Sequence, residues 1–164
     1  MIVSIDVDTT ALSGSPHATF TAFVSAVEPR LRRALVGAVG IDAAHDATAE
    51  ALSWAWEHWS DVQVMANPAG YLYRVARSSA RIRRPNRIRY LIDQPNELPH
   101  IEPELPAALR ELPDRQRAVV WLVYACEWTY QEVADALEIS ASAVGTHATR
   151  GLAAMRIKLG EANG

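Results

Sequence analysis

Four arginines, Arg74, Arg77, Arg81 and Arg84, recur at steps of three and four. At 100° per residue they gather within about 80° of one another on a helix. Leu72, Val75, Ala76 and Ser79 gather on the opposite side, so the segment after Asn67-Pro68 reads as one amphipathic helix. No acid stands among these arginines, and like charges at helical spacing repel. An anion is therefore the expected neighbour, and phosphate is the anion that a guanidinium fork fits best. Tyr71 and Tyr73 add rings on which unpaired bases could stack. Arg83, Arg87 and Arg89 carry the basic block further.

A second constellation lies near the other end. Thr129 and Glu132 form a capping box, followed by Val133, Ala134 and Leu137 on the inner face of a short helix. Ile139 fills a turn, and Ser140 or Ser142 can cap a second helix. There Val144, Ala148, Leu152, Met155 and Leu159 form the apolar stripe. This is the pattern of a helix-turn-helix, whose second helix enters a DNA major groove. Opposite the stripe stand Ser142, Ala143, Thr146, Arg150 and Ala153, with His147 and Thr149 flanking. Thr146 and His147 are placed for base edges, and Arg150 for guanine or phosphate. Gly145 costs helix propensity, which points to a close approach of backbone.

A third surface is acidic. Asp46, Glu50, Ser53 and Glu57 share a helical face at steps of four, three and four, on a helix spanning about 43–59. Ala49, Leu52, Trp56 and Trp59 are expected inward, and Trp54 stands off the apolar stripe beside the acids. The face reads either as a solvated surface or as a docking site for a basic partner.

The elements that must position these residues are helical throughout. Phe20, Phe23, Val24, Val27, Leu31 and Leu35 mark a first helix, which Pro29 is expected to kink or break. Helices at about 104–111 and 113–128 are expected to support the helix-turn-helix, with Leu105, Leu109, Leu112, Val119, Val120, Leu122 and Val123 inward. Six of nine prolines fall between Pro85 and Pro113, so 85–104 reads as an extended acidic linker. The expected fold is all-α: a helical domain at 18–84, the linker, and a four-helix domain at 105–160, with 1–17 and 161–164 as flexible ends.

Composition agrees and also misleads. The 164 residues are 49% apolar and 21% charged, as in a globular protein, with a net charge of −3. That total would not suggest a nucleic-acid binder. It averages residues 1–69 (eight acids, three bases) and 91–114 (six acids, one base) against 70–90, which hold seven arginines and no acid. The acids in MIVSIDVDTT do not suit a signal peptide, no apolar run could cross a bilayer, and the lone Cys126 can form no internal disulfide. A cytoplasmic protein with no membrane insertion is expected. His17, His45, His58, His100, His147 and Cys126 show no metal-ligand spacing, and no nucleophile–base pair or phosphate loop appears, so an enzyme is not expected.

These motifs together resemble the bacterial RNA polymerase sigma factors of the extracytoplasmic-function type. HDATAEALSWAWEHW resembles the family's region 2.2, and NPAGYLYRVARSSARIRR resembles regions 2.3 and 2.4. The stretch from ELPDRQRAVV to ATRGLAAMR resembles region 4, and the middle domain of larger sigma factors is absent. The resemblance implies a factor that binds core RNA polymerase, directs it to promoters and helps melt DNA, with no cofactor. Asp46, Glu50, Ser53, Trp54 and Glu57 would meet the clamp helices of the β′ subunit. Tyr71, Tyr73, Arg74, Arg77, Arg81 and Arg84 would serve the downstream promoter element and melting. The recognition helix would read the upstream element, and its domain would contact the β flap. An anti-sigma factor is a further implied partner. Ser78 and Ile82 depart from the Asn and Asp frequent in the family, and Gly145 and His147 from frequently basic positions. The competing reading is a helix-turn-helix regulator acting without core polymerase.

Overall fold

The computed structural model describes residues 16–83 and 104–162, and all regular structure among them is helical. Residues 1–15, Arg84 and the segment 85–103, where the linker is expected, lie outside the described residues.

Helix α1 runs Pro16–Val39 without a break at Pro29. Proline removes one hydrogen bond from the ladder and clashes with the preceding turn. Burial of Val27, Leu31, Ala34, Leu35 and Val39 along one face offsets that cost, so the expected break does not occur. Gly40 then serves both helices. Its amide bonds to Val36 O at 3.2 Å, its carbonyl accepts from Ala44 N at 2.6 Å, and its φ of 110° is one that glycine adopts freely.

Helix α2 (Ile41–Glu57) packs on α1 through Ala44, Ala47, Thr48, Ala51 and Ala55. The one polar member, Thr48, donates its hydroxyl to Ala44 O at 2.7 Å. The sequence placed larger residues inward. The true face lies about 100° around the helix from that expectation. Ala49 is exposed, Trp56 is 40% exposed, and Leu52 and Trp59 are half-buried. Small side chains win the interior because they let two helix backbones approach closely. The large rings instead form a cluster at the module's edge, where Phe20 meets Trp56 at 4.9 Å and Trp59 at 5.2 Å.

After the short α3 (Trp59–Val62), Asn67 caps α4 (Pro68–Arg83) by accepting from Gly70 N at 2.9 Å. Ala69, Leu72 and Ala76 pack inward from α4.

In the second group of helices, α5 (Glu104–Glu111) and α6 (Asp114–Val120) pack on the long α8 (Ala141–Ala162). Ala108, Leu112, Val120 and Met155 close a small core there, with Leu105 and Leu109 half-buried at its border. The chain leaves α6 through a π turn, Trp121–Ala125, with Cys126 N bonding back to Trp121 O at 3.0 Å. One extra residue per turn redirects the chain, so the single helix expected from 113 to 128 ends early. Helix α7 (Tyr130–Leu137) starts at the expected capping box.

The two groups are not separate beads. One continuous core joins α1, α2 and α4 to the π turn, α7 and the start of α8. Tyr73 of α4 is 1% exposed and meets Trp128, 2% exposed, edge-on at 5.7 Å. Trp121 donates its indole N–H to Arg33 O at 3.2 Å and lies where any Cβ on Gly37 would sit.

Candidate nucleic-acid interface

The acidic face forms as read. Asp46, Glu50, Ser53 and Glu57 are all exposed on α2, and exposed Asp42 extends the row by one turn. Its spacing of four before Asp46 was the available signal. Trp54 is not the free ring of the sequence reading. It is half-buried and stacked on His58 at 4.2 Å, with Tyr71 at 5.4 Å. Trp56 is the exposed tryptophan on the opposite flank of the acids.

The basic helix differs more from expectation. Arg74 has an acid partner after all: its Nη1 donates to Glu138 Oε1 at 3.2 Å, and its guanidinium lies 5.3 Å from the Tyr71 ring centre. The partner comes from α7, which no local helical projection could supply. Tyr73 is covered by Trp128, so its ring is not presented for base stacking in this arrangement. Arg77 is half-buried and lines a cavity of about 30 Å³ between the two helix groups, with Tyr73, Asp114, Arg117 and Trp121 around it. Arg81 belongs to α4, but its side chain, like all of Arg84, falls outside the described residues.

The recognition helix is built as expected. Thr129 Oγ1 accepts from Glu132 N at 3.2 Å, and Glu132 Oε2 accepts from Thr129 N at 2.8 Å, completing the capping box. Burial raises the Glu132 pKa, but bonds from Arg30 and from the amide and hydroxyl of Thr129 outweigh it, so the carboxyl lies below its ordinary value. Glu138 ends α7 in the left-handed region at φ 55°. Ser140, not Ser142, caps α8 by accepting from Ala143 N at 3.1 Å. On α8, Ser142, Thr146, Thr149 and Arg150 are exposed, whereas Ala143 and His147 are half-buried. Thr146 donates its hydroxyl to Ser142 O at 3.1 Å, a bond that must rotate away before Thr146 can donate to a base.

Two of the three glycines of α8, Gly145 and Gly151, exchange roles. A Cβ on Gly145 would meet only the Tyr130 ring, at 3.4 Å, an ordinary contact. A Cβ on Gly151 would fall 2.6 Å from Val120 Cγ2, so Gly151 is the residue that lets α6 and α8 cross. Two further aromatics beside this helix escaped the sequence reading. Tyr124 and Tyr130 are both exposed and hydrogen-bonded to each other; burial and that bond raise the Tyr124 pKa. Cys126 is inert, its thiol pushed up to about 12 by burial against a smaller opposing pull from Arg33 and Arg30. Among the described residues no group of His, Cys, Asp and Glu could hold a metal ion, and no helix is long and apolar enough to cross a membrane.

Comparison with known proteins supports the same assignment. Residues 103–155 match the family described as sigma-70, region 4. No curated protein matches the chain in sequence. Among solved structures, the sigma factor RpoE, in complex with the anti-sigma factor NepR from Bartonella quintana, superposes with a TM-score of 0.67 at 19% identity. That match covers 86% of this chain and 96% of RpoE. CnrH, in complex with the cytosolic domain of CnrY, gives 0.63 at 18% identity, covering 93% of this chain and 94% of CnrH. At such identities the likeness establishes the fold, and that fold extends over both groups of helices. A segment that matches sigma-70 region 4 and carries the helix-turn-helix thus sits within a chain that shares its fold with RpoE and CnrH.

Proposed function

We propose that the three surfaces divide the work of promoter selection and opening. The α2 face of Asp46, Glu50, Ser53 and Glu57, flanked by Trp54, docks on the β′ clamp helices of core RNA polymerase. Helix α4, with Tyr71, Arg74, Arg77 and Arg81, and with Arg84 next after it in sequence, serves the downstream element and the melted strand. Helix α8 reads the upstream element through Ser142, Ala143, Thr146, His147, Thr149 and Arg150, and its domain meets the β flap. The domain limits follow the sequence division at 18–84 and 105–160. The factor works by binding and breaks no bond itself, and it acts in the cytoplasm, where its polymerase is. An anti-sigma factor is a fitting regulator, since RpoE was solved bound to one.

The observation that carries this reading is the pairing of a capped helix-turn-helix with a separate, uniformly acidic exposed face. A regulator acting alone needs the first and has no use for the second. The test is co-purification with core polymerase of the variant Asp46→Lys with Glu50→Lys. Lost association supports the docking face, and undiminished association assigns those acids to solvent.

A further inference from the structure

Arg117 stands on α6, outside the three surfaces, and lines the cavity of about 30 Å³ that Arg77 of α4 lines as well. Two guanidinium-bearing side chains thus reach one cavity from different helix groups. The walls between them are apolar: Ala38 of α1, Ala118 of α6 and the Trp121 ring. Trp121 brings no spare donor, because its indole N–H is given to Arg33 O. Gly37 and Asp114 also line the cavity, and both are exposed, so they mark its solvent side.

Charge and donors are left over at this point. Two arginines and one aspartate leave one positive charge in excess among the lining residues. Arg117 keeps only 23% of its side chain exposed, whereas its counterion Asp114 is 81% exposed. Arg117 donates Nη2 to Asp114 Oδ1, and Nη1 to Arg110 O at 2.8 Å. A guanidinium carries five N–H donors, so three stay uncommitted among the described residues. The apolar walls lower the local dielectric, which strengthens the pull of a guanidinium on an anion. The volume holds about two waters, the room that two oxygens of a phosphoryl group also take.

We propose that this cavity is a binding site for the phosphoryl group of a small molecule, held between Arg77 and Arg117, with the rest of the ligand outside past Gly37 and Asp114. A guanidinium fork matches two phosphate oxygens. A phosphate monoester carries a charge of about −1.5 to −2 at neutral pH, so it suits two arginines better than a carboxylate does. Asp114 is the built-in competitor: it satisfies Arg117 when no phosphate is bound and turns to solvent when one enters. Inorganic phosphate and a nucleoside monophosphate share this chemistry. The site goes beyond the promoter reading, and its binding is measured with neither polymerase nor promoter, so either can fail alone.

The test is isothermal titration calorimetry of the full chain at fixed ionic strength, with inorganic phosphate in one arm and adenosine monophosphate in the other. Saturable binding of one ligand per chain is expected in at least one arm, and the tighter arm identifies the source. Arg117→Gln is expected to weaken binding by about tenfold to a hundredfold. Asp114→Asn is expected to tighten it by up to about fivefold, since the lost pair is weak and Arg117 is released. Arg32→Gln, which alters an exposed arginine paired with Glu28 on α1, is expected to bind as the parent does. Absence of saturable binding in both arms overturns the proposal. So does equal weakening by Arg32→Gln and Arg117→Gln, the mark of general attraction to basic surface. If Arg117→Gln does not fold, Asp114→Asn decides alone, and unchanged or weaker binding there overturns the site.

Discussion

Glu138, the left-handed residue that ends the first helix of the helix-turn-helix, holds Arg74 of the basic helix at 3.2 Å. The basic helix and the helix-turn-helix are thus joined through the turn that defines one of them. The weakly acidic total charge has a structural counterpart in this contact. Arg74, which looks unpaired along its own helix, is opposed by an acid 64 residues away.

Gly151 and Gly145 should respond in opposite ways to alanine. At Gly151 the new methyl meets Val120, and overpacking of this kind costs about 1–3 kcal/mol. At Gly145 the methyl has room, and the helix gains up to about 1 kcal/mol of propensity. Urea unfolding of the two variants against the parent protein measures both signs.

The capping box gives stability a defined pH dependence. Glu132 is more acidic folded than unfolded, so its contribution is fully present above the ordinary carboxyl value. It is lost as pH falls through the lowered folded value. Thr129→Ala, which removes one reciprocal bond, should cost about 1 kcal/mol at neutral pH. Its deficit relative to the parent should shrink in acid. Thermal melts of both proteins from neutral pH downward follow that difference.

Trp56 should matter more to polymerase binding than Trp54. It is exposed beside the acids and braced by Phe20, the setting in which an aromatic anchors an interface. Trp56→Ala is expected to weaken core binding by about 2 kcal/mol, roughly thirtyfold. Trp54→Ala should act mainly on stability, through its lost stack on His58. Core-binding titrations alongside unfolding curves separate the two effects.

Thr146→Ala and Arg150→Ala should reduce protection of the upstream promoter element, since both side chains stand exposed on α8. Each is expected to cost about 1–3 kcal/mol of discrimination where it contacts a base edge. Footprints of the polymerase complex measure this, and an unaltered upstream footprint would place the reading face elsewhere on the helix.

The legible parts of this fold were local. The capping box, the stripe of Val144, Ala148 and Met155, and the row of acids on α2 each depend on residues within a few turns. The misread parts depended on what packs from afar. Tyr73 reads as a surface ring until Trp128 covers it, and Arg74 as unpaired until Glu138 arrives. The inward face of α2 was misread for another reason. Apolar size along the sequence points to the large residues, whereas close helix crossing selects Ala44, Ala47, Ala51 and Ala55. Gly151 was overlooked because a glycine's role depends on its neighbour, here Val120.

The central claim, that this chain gives RNA polymerase its promoter specificity, is tested most directly by run-off transcription. Purified core polymerase would be mixed with the protein and a library of genomic fragments. The account predicts discrete transcripts that start at a limited set of sites, need the protein, and vanish with Arg77→Ala and Arg81→Ala while core binding persists. Transcripts that are the same with and without the protein would contradict it.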